Sequence, residues 1–369
     1  MALASTDINT PSDFSILRQS RLTSPEVSVI VPIYNKAHDH LLSRCLESLI
    51  DQSIAALEII CVDDHSDDES LAMALSYAEK VDNITVVSMD RNRKQGTARN
   101  RGIALSRGRY IGFVDADDSV SPLAFSTLHD SITTSGADAV VAPYQLVDLH
   151  DKIIEPQKRN TPLSCDGPIG IDERKTLVLC HDPIWAHLFK ASLIKRQDML
   201  FPEDMLYEDT PTLLRWLYGI HTMSVIEGES FYNYRQYGSS TVSTTVKSSQ
   251  ALHDRIASSD MILNDARSLG MYNIYEDELS CYFMDICYFN TVAMLTGSEL
   301  PSSKAFIRSL AQHVIEQVPD YLSNPYYARR PLLERTVKRI TLLHPIAAYR
   351  ARRSLNKLFR TVRSFRNHA

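Results

Sequence analysis

The chain has 369 residues, of which 44% are hydrophobic and 23% are charged, which is ordinary for a globular protein with room for two domains. The net charge of -6 gives no general reason to expect a nucleic-acid partner, and no stretch reaches the roughly 18 apolar residues of a membrane-spanning helix. The six cysteines are scattered without a Cys-x-x-Cys pair, which favours a reducing compartment, so we expect a cytoplasmic protein.

Residues 1–24 are polar and patternless, and we expect a flexible leader without the features of a signal peptide. From residue 27 onward, apolar runs of strand length alternate with segments of helical periodicity. The predicted strands cover residues 27–33, 57–62, 84–87, 110–114 and 139–142. The predicted helices cover residues 41–50, about 66–80 with a Ser66 and Glu69 capping box, and 97–106, and another begins at Pro122. This alternation predicts an α/β fold, with a mostly parallel, Rossmann-like sheet covered by helices on both faces.

The predicted first domain covers residues 25–245, and a smaller α-helical C-terminal region covers residues 246–369. Within the first domain, the prolines and charges of residues 143–170 indicate a loop or irregular hairpin at the sheet edge. In the C-terminal region, helices are predicted near residues 251–268, 273–296 and 302–318.

The last predicted helix is basic and amphipathic. Its apolar face comprises Leu355, Leu358, Phe359, Val362 and Phe365, with Lys and Arg side chains around it. Two interpretations stay open: the helix lies on an anionic membrane surface, which would make the protein peripheral on the inner face of the membrane, or it packs on its own domain with a solvated charged face.

Acidic side chains follow the predicted strand at residues 110–114. Asp115, Asp117 and Asp118 repel one another unless a cation or a buried proton compensates. Oxygen donors without a nearby His or Cys favour Mg²⁺ or Mn²⁺, which proteins commonly hold by one or two carboxylates and the phosphates of a substrate. The alternative is that these acids only solvate a turn.

Other polar groups also stand at predicted strand ends. Asn35 follows the first strand, and Asp63 and Asp64 follow the second, at the edge where parallel α/β sheets bind ligands. The sequence contains no Gly-x-Gly and no Gly-Lys-Ser/Thr, which disfavours a dinucleotide-binding dehydrogenase and a P-loop protein.

Four blocks carry a resemblance to a known family: VSVIVPIYN at residues 27–35, CVDDHSDD, QGTARNRGIALSRGRYIGFVDADD and a later YED. In this order they closely resemble the family 2 glycosyltransferases, which are inverting enzymes with a GT-A fold. The resemblance covers about residues 26–240. It implies transfer of a sugar from a nucleoside diphosphate, UDP in the first instance, to a hydroxyl of a glycan or lipid-linked acceptor, with a divalent metal.

The resemblance also implies roles for single residues on the donor side. Pro32 and Tyr34 help to form the nucleotide pocket, to which Asn35 is also assigned, and Asp64 accepts a hydrogen bond from the uracil ring. For Asp63, the chemistry of a turn explains the residue equally well. Gly96 lets the backbone approach a ligand closely.

Arg99 suits either a phosphate or a carboxylate of the acidic block. Asp115 and Asp117 are implied as the carboxylates for metal and sugar nucleotide, with Asp117 as the more direct metal ligand. Asp118 orients its neighbours or stabilises the turn.

In the YED block, Asp209 occupies the position of the general base, and Glu208 is the alternative. Asp209 precedes Thr210 and Pro211, so a helix cap explains it too. The resemblance also assigns Arg235 to a phosphate of the donor, and a role other than phosphate binding fits this residue equally well.

Trp185 and Lys190 match a further family segment. This chain has His187 where Lys is common in the family, and a core or surface histidine is the safer interpretation of that residue.

Two other functions compete with glycosyl transfer. A sugar nucleotidyltransferase uses a related sheet but usually has a Gly-rich basic loop after its first strand. A catalytically inactive nucleotide-sugar-binding scaffold would keep the pocket without turnover.

Overall fold

The computed structural model describes residues 13–163, 166–237, 248–297 and 304–354. The chain forms two compact units. The first comprises residues up to 169, 182–212 and 219–236, and the second comprises residues 170–181, 213–218 and those from 237 onward. The predicted domain boundary between residues 245 and 246 lies outside the described residues.

The first unit contains the strands of the fold. They are β1 (Phe14–Arg18), β2 (Val27–Ile33), β3 (Leu57–Asp63), β4 (Ile84–Met89), β5 (Tyr110–Phe113), β6 (Ser119–Val120), β7 (Ala139–Val141), β8 (Tyr144–Val147), β9 (Ile153–Lys158), β10 (Gly167–Pro168), β11 (His187–Lys190), β12 (Thr222–Val225) and β13 (Tyr232–Arg235).

Over the described residues, nine of these strands form one sheet in the order β1-β4-β3-β2-β5-β11-β7-β12-β10. The centre, β4-β3-β2-β5, is parallel, and β7 pairs in parallel with β12. Antiparallel pairs occur at β11 and at both edges. The expectation of a mostly parallel α/β sheet is confirmed. Every residue of β2 and β3 is buried, as expected for strands covered on both faces.

The helices of the first unit are α1 (Leu41–Ile50), α2 (Ser70–Lys80), α3 (Lys94–Leu105), α4 (Ala124–Ser135) and α6 (Ala191–Ile194). Helix α7 (Asp209–Gly219) begins in the first unit. Apolar residues of α1 at helical spacing are buried, including Leu42, Cys45 and Leu49, which is why the 41–50 pattern predicted this helix correctly.

The predicted leader over residues 1–24 is wrong for residues 14–18, which form β1 at the sheet edge next to β4. Phe14 packs against a core cluster that includes Val87 and Met89, so this polar segment gains order from tertiary contacts. The predicted capping box is also wrong. Helix α2 begins at Ser70, and the Ser66 hydroxyl instead accepts a hydrogen bond from the backbone N–H of Asn35 at 3.0 Å.

The predicted irregular hairpin at residues 143–170 is present as β8 and β9. They pair antiparallel in a second sheet with the order β6-β13-β8-β9, four strands within the part of the chain that the structure describes. This sheet joins β6, which follows the acidic block directly, to β13, which ends at Arg235.

The second unit is helical over its described residues. Its elements are α5 (Ile171–Leu179), α8 (Ser249–Ser268), α9 (Glu276–Phe283), a π-helical turn (Met284–Phe289), α10 (Asn290–Gly297), α11 (Lys304–Gln317), α12 (Pro325–Ala328) and α13 (Leu332–Leu343). Residues 345–354 are also helical. Among the described helices, none is long and apolar enough to cross a membrane. The predicted apolar face from Leu355 to Phe365 lies outside the described residues.

Candidate active site

Three parallel strands bring the predicted site residues to one edge of the sheet. β2 lies between β3 and β5, and the register aligns Ile33 with Asp63 and Ile30 with Phe113. The carboxyl ends of these strands lead directly into Asn35, Asp64 and Asp115. Neighbouring strand ends of this kind form the usual ligand crevice of an open α/β sheet.

A single guanidinium joins two of the predicted carboxylates. Arg99, on α3, donates to Asp115 Oδ1 at 2.8 Å and to Glu208 Oε1 at 2.6 Å, and its side chain is almost fully buried. Burial opposes the charge of Arg99, but Asp115 and Glu208 raise its pKa above the ordinary value. Arg99 therefore binds a carboxylate of the acidic block, one of the two roles that the sequence left open.

Asp117 has a partner that sequence reasoning missed. Lys36 Nζ donates to Asp117 Oδ2 at 2.6 Å, and both side chains are mostly buried. The backbone N–H of Lys36 donates to Ser70 Oγ at 2.8 Å, which fixes the lysine at the N-terminus of α2. Lys36 directly follows the VSVIVPIYN block, and this position was the sequence signal that could have identified it as a site residue.

Asp118 is bound by residues of β13. Its carboxylate accepts hydrogen bonds from Tyr232 Oη and from the backbone N–H of Arg235, both at 2.7 Å. Burial raises the pKa of Asp118 well above its ordinary value, and the charges of Asp117 and Asp115 add to this effect. The role of orienting the turn, predicted for Asp118, fits these contacts. Because each of the three acids has its own protein donor, their clustering does not by itself require a metal ion.

The fit of a divalent ion depends on two carboxylates. Within the described ranges, no group of three or more His, Cys, Asp or Glu side chains is arranged to hold a metal. Asp115 and Asp117 are 19% and 18% exposed, so both can be reached by a ligand. Two carboxylates fit an ion that takes its remaining ligands from a diphosphate and water, as Mg²⁺ commonly does. The metal stays a prediction.

Asp64 is buried at the end of β3. Its Oδ1 accepts the backbone N–H of Arg93 at 2.7 Å, and burial raises its pKa to about 6, although the N–H groups of Arg93 and Lys94 oppose the shift. Asp63 is also buried and accepts the backbone N–H of Ser66 at 3.1 Å. Asp63 therefore stabilises the turn, whereas the uracil contact of Asp64 stays a prediction.

The loop after β2 is held in an unusual conformation. Asn35 has a φ of 52°, and its side-chain oxygen accepts the backbone N–H of Asp67 at 2.8 Å. Tyr34, next to it, is 41% exposed, whereas Pro32 is buried inside β2. Three further residues have positive φ: His65, Tyr207 and Lys94, which is the first residue of α3. Strained backbone of this type concentrates at ligand-binding sites. The exposed ring of Tyr34 remains available to a nucleotide.

Gly96 has a packing role within the protein, and its close approach to a ligand stays a prediction. A Cβ at this position would lie 2.5 Å from the backbone oxygen of Pro202 and 2.8 Å from Glu208 Cγ. The glycine therefore lets α3 approach the segment before α7, and the close approach is to the protein itself. This packing places Arg99, three residues further along α3, within reach of Glu208.

Arg235 is occupied by the protein. Its guanidinium donates to the backbone oxygens of Asp117 and Asp148 at 3.0 and 2.9 Å and to Asp151 Oδ1 at 2.6 Å. Its side chain is 1% exposed. Three N–H groups of Arg235 fix the acidic block to the β8–β9 turn. The phosphate contact of Arg235 stays a prediction.

Asp209 and Glu208 differ in environment. Glu208 is buried and paired with Arg99, and burial raises its pKa, which the charge of Arg99 opposes. Asp209 is half-buried and is the first residue of α7, near enough for its charge to raise the pKa of Asp115. Thr212 Oγ1 donates to the Glu208 backbone oxygen at 2.7 Å and fixes the start of the helix.

Trp185 lies in an aromatic cluster beside the acidic block. Its ring stacks on Tyr232 at 4.1 Å and on Tyr234 at 5.4 Å between centroids. Tyr232, which sequence reasoning did not select, also donates to Asp118. His187 is a core residue whose Nδ1 lies 2.9 Å from the Pro183 backbone oxygen, in line with the safer interpretation. Lys190 Nζ donates to the Gly136 backbone oxygen and to Asp138 Oδ1. Neither partner is one of the predicted site residues.

Comparison with known proteins places this geometry in context. Residues 28–196 match the family described as glycosyl transferase family 2. The chain is 30% identical over 218 residues to the uncharacterized glycosyltransferase EpsJ of Bacillus subtilis (strain 168), covering 58% of this chain and 61% of that protein. It is 31% identical over 180 residues to the poly(ribitol-phosphate) beta-glucosyltransferase of Bacillus spizizenii, covering 48% and 27%. The matched segment thus spans about three fifths of the first relative and less of the second.

A solved structure extends the likeness over most of the chain. S. aureus TarS 1-349 in complex with UDP-GlcNAc superposes with a TM-score of 0.65 at 19% identity, covering 91% of this chain and 92% of that chain. At this identity the likeness shows the fold. It confirms the expected GT-A architecture with a helical C-terminal region.

Proposed function

We propose that this protein is an inverting glycosyltransferase, a proposal supported by the match of residues 28–196 to the family described as glycosyl transferase family 2. It moves a sugar from a nucleoside diphosphate, UDP in the first instance, to a hydroxyl of a glycan or glycolipid. The contact that carries the proposal is the Arg99 guanidinium, which binds Asp115 on one side and Glu208, the neighbour of Asp209, on the other. One rigid group thereby fixes the spacing between a donor-side carboxylate and the base.

On the donor side, Tyr34 presents an exposed ring to the nucleotide, and Asp64 accepts the uracil N–H. Asp115 and Asp117 would hold a divalent ion, Mn²⁺ or Mg²⁺, which supplies Lewis-acid stabilisation to the departing diphosphate. Lys36, paired with Asp117, brings a second positive charge to the same place. The UDP-GlcNAc bound by TarS supports a UDP-sugar as the donor here.

Asp209 acts as the general base in this proposal. It removes the proton from the acceptor hydroxyl as that oxygen attacks the anomeric carbon, and the bond to the diphosphate breaks on the opposite side. Glu208 is less suited to this role, because it is buried and its carboxylate is bound to Arg99. Glu208 is a positioning residue that holds Arg99 in place.

The state of the cysteines bears on the cellular compartment of the protein. The described cysteines are Cys45, Cys61, Cys180, Cys281 and Cys287, and all of them are free thiols. We retain the cytoplasm, where thiols stay reduced, as the proposed compartment.

The test is Asp209→Asn, assayed with a panel of UDP-, GDP- and dTDP-sugars in the presence of Mn²⁺ or a chelator. We expect transfer to fall at least about a hundredfold, the low end of general-base catalysis, while UDP binding by calorimetry is retained. Asp198→Asn, which changes an exposed carboxylate paired with Arg196, is the matched control and should keep full turnover.

The outcomes separate the competing functions. Unchanged transfer by Asp209→Asn would remove Asp209 from the mechanism. Pyrophosphate release from a nucleoside triphosphate and a sugar phosphate would identify a nucleotidyltransferase. Tight UDP-sugar binding without turnover in the native chain would identify a scaffold.

A further inference from the structure

Helix α13 has one face fixed to the second unit. Lys338 and Arg330, which lies just before the helix, both pair with Asp285 of the π-helical turn, and Tyr288 Oη donates to the Thr341 backbone oxygen at 2.6 Å. Leu342 is buried on the same side. These contacts hold α13 in one orientation.

The opposite face is apolar and exposed. At 3.6 residues per turn, five large side chains share this face, and they are 46% to 78% exposed. They are Leu332, Leu333, Val337, Ile340 and Leu343. A contiguous apolar stripe of this kind marks an interaction surface rather than ordinary surface residues.

The charge around the stripe is strongly positive. Residues 329–354 contain eight Lys or Arg and one acid, Glu334. Glu334 is paired with Arg330. Arg339, Arg350 and Arg352 are exposed. The stripe therefore lies in a field that attracts anionic surfaces.

We propose that the exposed face of α13 docks on the surface of an anionic lipid bilayer, with Leu333 and Ile340 inserted among the acyl chains and the arginines at the phosphates. An amphipathic helix with an apolar face and basic flanks binds membranes in this way. A second copy would bring two basic surfaces together, and the chain's own residues 355–369 add four more Lys or Arg and no acid. Like-charge repulsion therefore disfavours both of these occupants. This inference does not depend on the proposed activity.

The test is flotation of the full chain with vesicles of phosphatidylcholine alone or mixed with phosphatidylglycerol. We expect binding to the mixed vesicles, a loss of at least about tenfold in Leu333→Ser/Ile340→Ser, and weaker binding near 1 M salt, where the Debye length is about 3 Å. The matched control is Ile171→Ser/Ile315→Ser, which changes two exposed side chains on other helices of the second unit and should bind like the native chain.

Three results would overturn the inference. They are equal binding by the stripe variant and the control, equal binding to both vesicle types, or a native oligomer that the stripe variant converts to a monomer without lipid. Thermal unfolding at the same temperature in all variants shows that the substitutions act at the surface.

Discussion

Asp64 gives the candidate site a titration near neutral pH. Burial raises its pKa to about 6 from an ordinary value of 3.8, because the ionised form loses hydration. The folded protein thus binds this proton more tightly than the unfolded chain. The contribution of Asp64 to stability therefore falls as pH rises from about 4 to about 6. Ligand binding has the opposite dependence, because a carboxylate accepts the uracil N–H best when ionised.

We therefore expect UDP affinity to fall as pH is lowered from about 7.5 to about 5, with its midpoint near the pKa of Asp64. Asp64→Asn keeps an oxygen acceptor but does not titrate, so its affinity should vary less over this range. The UDP phosphates titrate equally in both proteins and cancel in the comparison. Calorimetry across the pH series measures the difference. Parallel pH profiles for the two proteins would show that Asp64 does not contact the base.

At the scale of single residues, the sequence placed the acids and offered Arg99 as one possible partner, but it did not reveal the other partners. Asp64, Asp115 and Asp117 were found because each follows an apolar strand, and parallel strand ends meet at one edge. Lys36 lies 81 residues from Asp117, and Arg235 lies 118 residues from the backbone oxygen of Asp117 that it binds. Contacts at such separations depend on the packing of the β8–β9 turn and α2, which no local pattern encodes.

At the scale of elements, α3 and the segment before α7 form the spacing device of the site. Gly96 sits where they touch, and Arg99 extends from α3 to Glu208. The nearest neighbour of an added Cβ is the backbone oxygen of Pro202, which cannot rotate away as a side chain can. Any larger residue must therefore push the two elements apart.

Gly96→Ala is expected to destabilise the protein by about 1 to 3 kcal/mol, the usual cost of overpacking, and to lower transfer by displacing Arg99. Gly219→Ala is the control. Its Cβ would meet only the flexible ends of Leu193 and Met199, at 3.3 and 3.4 Å, so we expect a change within about 0.5 kcal/mol. Denaturant unfolding measures both. An unchanged free energy of unfolding in Gly96→Ala would show that the helix has room to shift.

The sequence pattern predicted β2, β3 and α1 because their burial is regular. The two strands are buried throughout, and the helix buries apolar residues at helical spacing. The pattern failed where order comes from distant contacts. β1 has three exposed central residues, yet Asp13, immediately before it, pairs with Arg93 and Arg101. The Ser66 and Glu69 spacing fitted a capping box, but the hydroxyl served the loop after β2 instead.

At the scale of the whole molecule, the chain does not divide at one point along its length. The second unit includes residues 170–181 and 213–218, which lie within the sequence of the first. They are tied to residues far along the chain: Arg215 Nε donates to Asp265 Oδ2 at 2.8 Å, and Tyr218 stacks on Tyr275 at 6.3 Å between centroids. Sequence periodicity could not reveal this arrangement, because α5 and α7 resemble the helices of any α/β domain.

Because the second unit includes residues 170–181 and 213–218, truncation after residue 245, the boundary predicted from the sequence, should disrupt folding. The fragment would keep Leu177, Val178 and Trp216, which are fully buried in the intact chain, but lose helices α8 to α13 of the second unit. Exposing each such side chain costs about 1.5 to 3 kcal/mol, so the sum is comparable with the 5 to 15 kcal/mol stability of a typical domain. We expect the 1–245 fragment to be insoluble or to unfold without cooperativity.

A chain ending at residue 354 is the control, because it keeps every described residue of the second unit. It should unfold at the same temperature as the intact protein and bind UDP equally well. Soluble yield, thermal unfolding and UDP calorimetry compare the three chains. A 1–245 fragment that unfolds cooperatively and binds UDP with native affinity would contradict the prediction. In that case residues 170–181 and 213–218 would have to find sufficient burial within the first 245 residues.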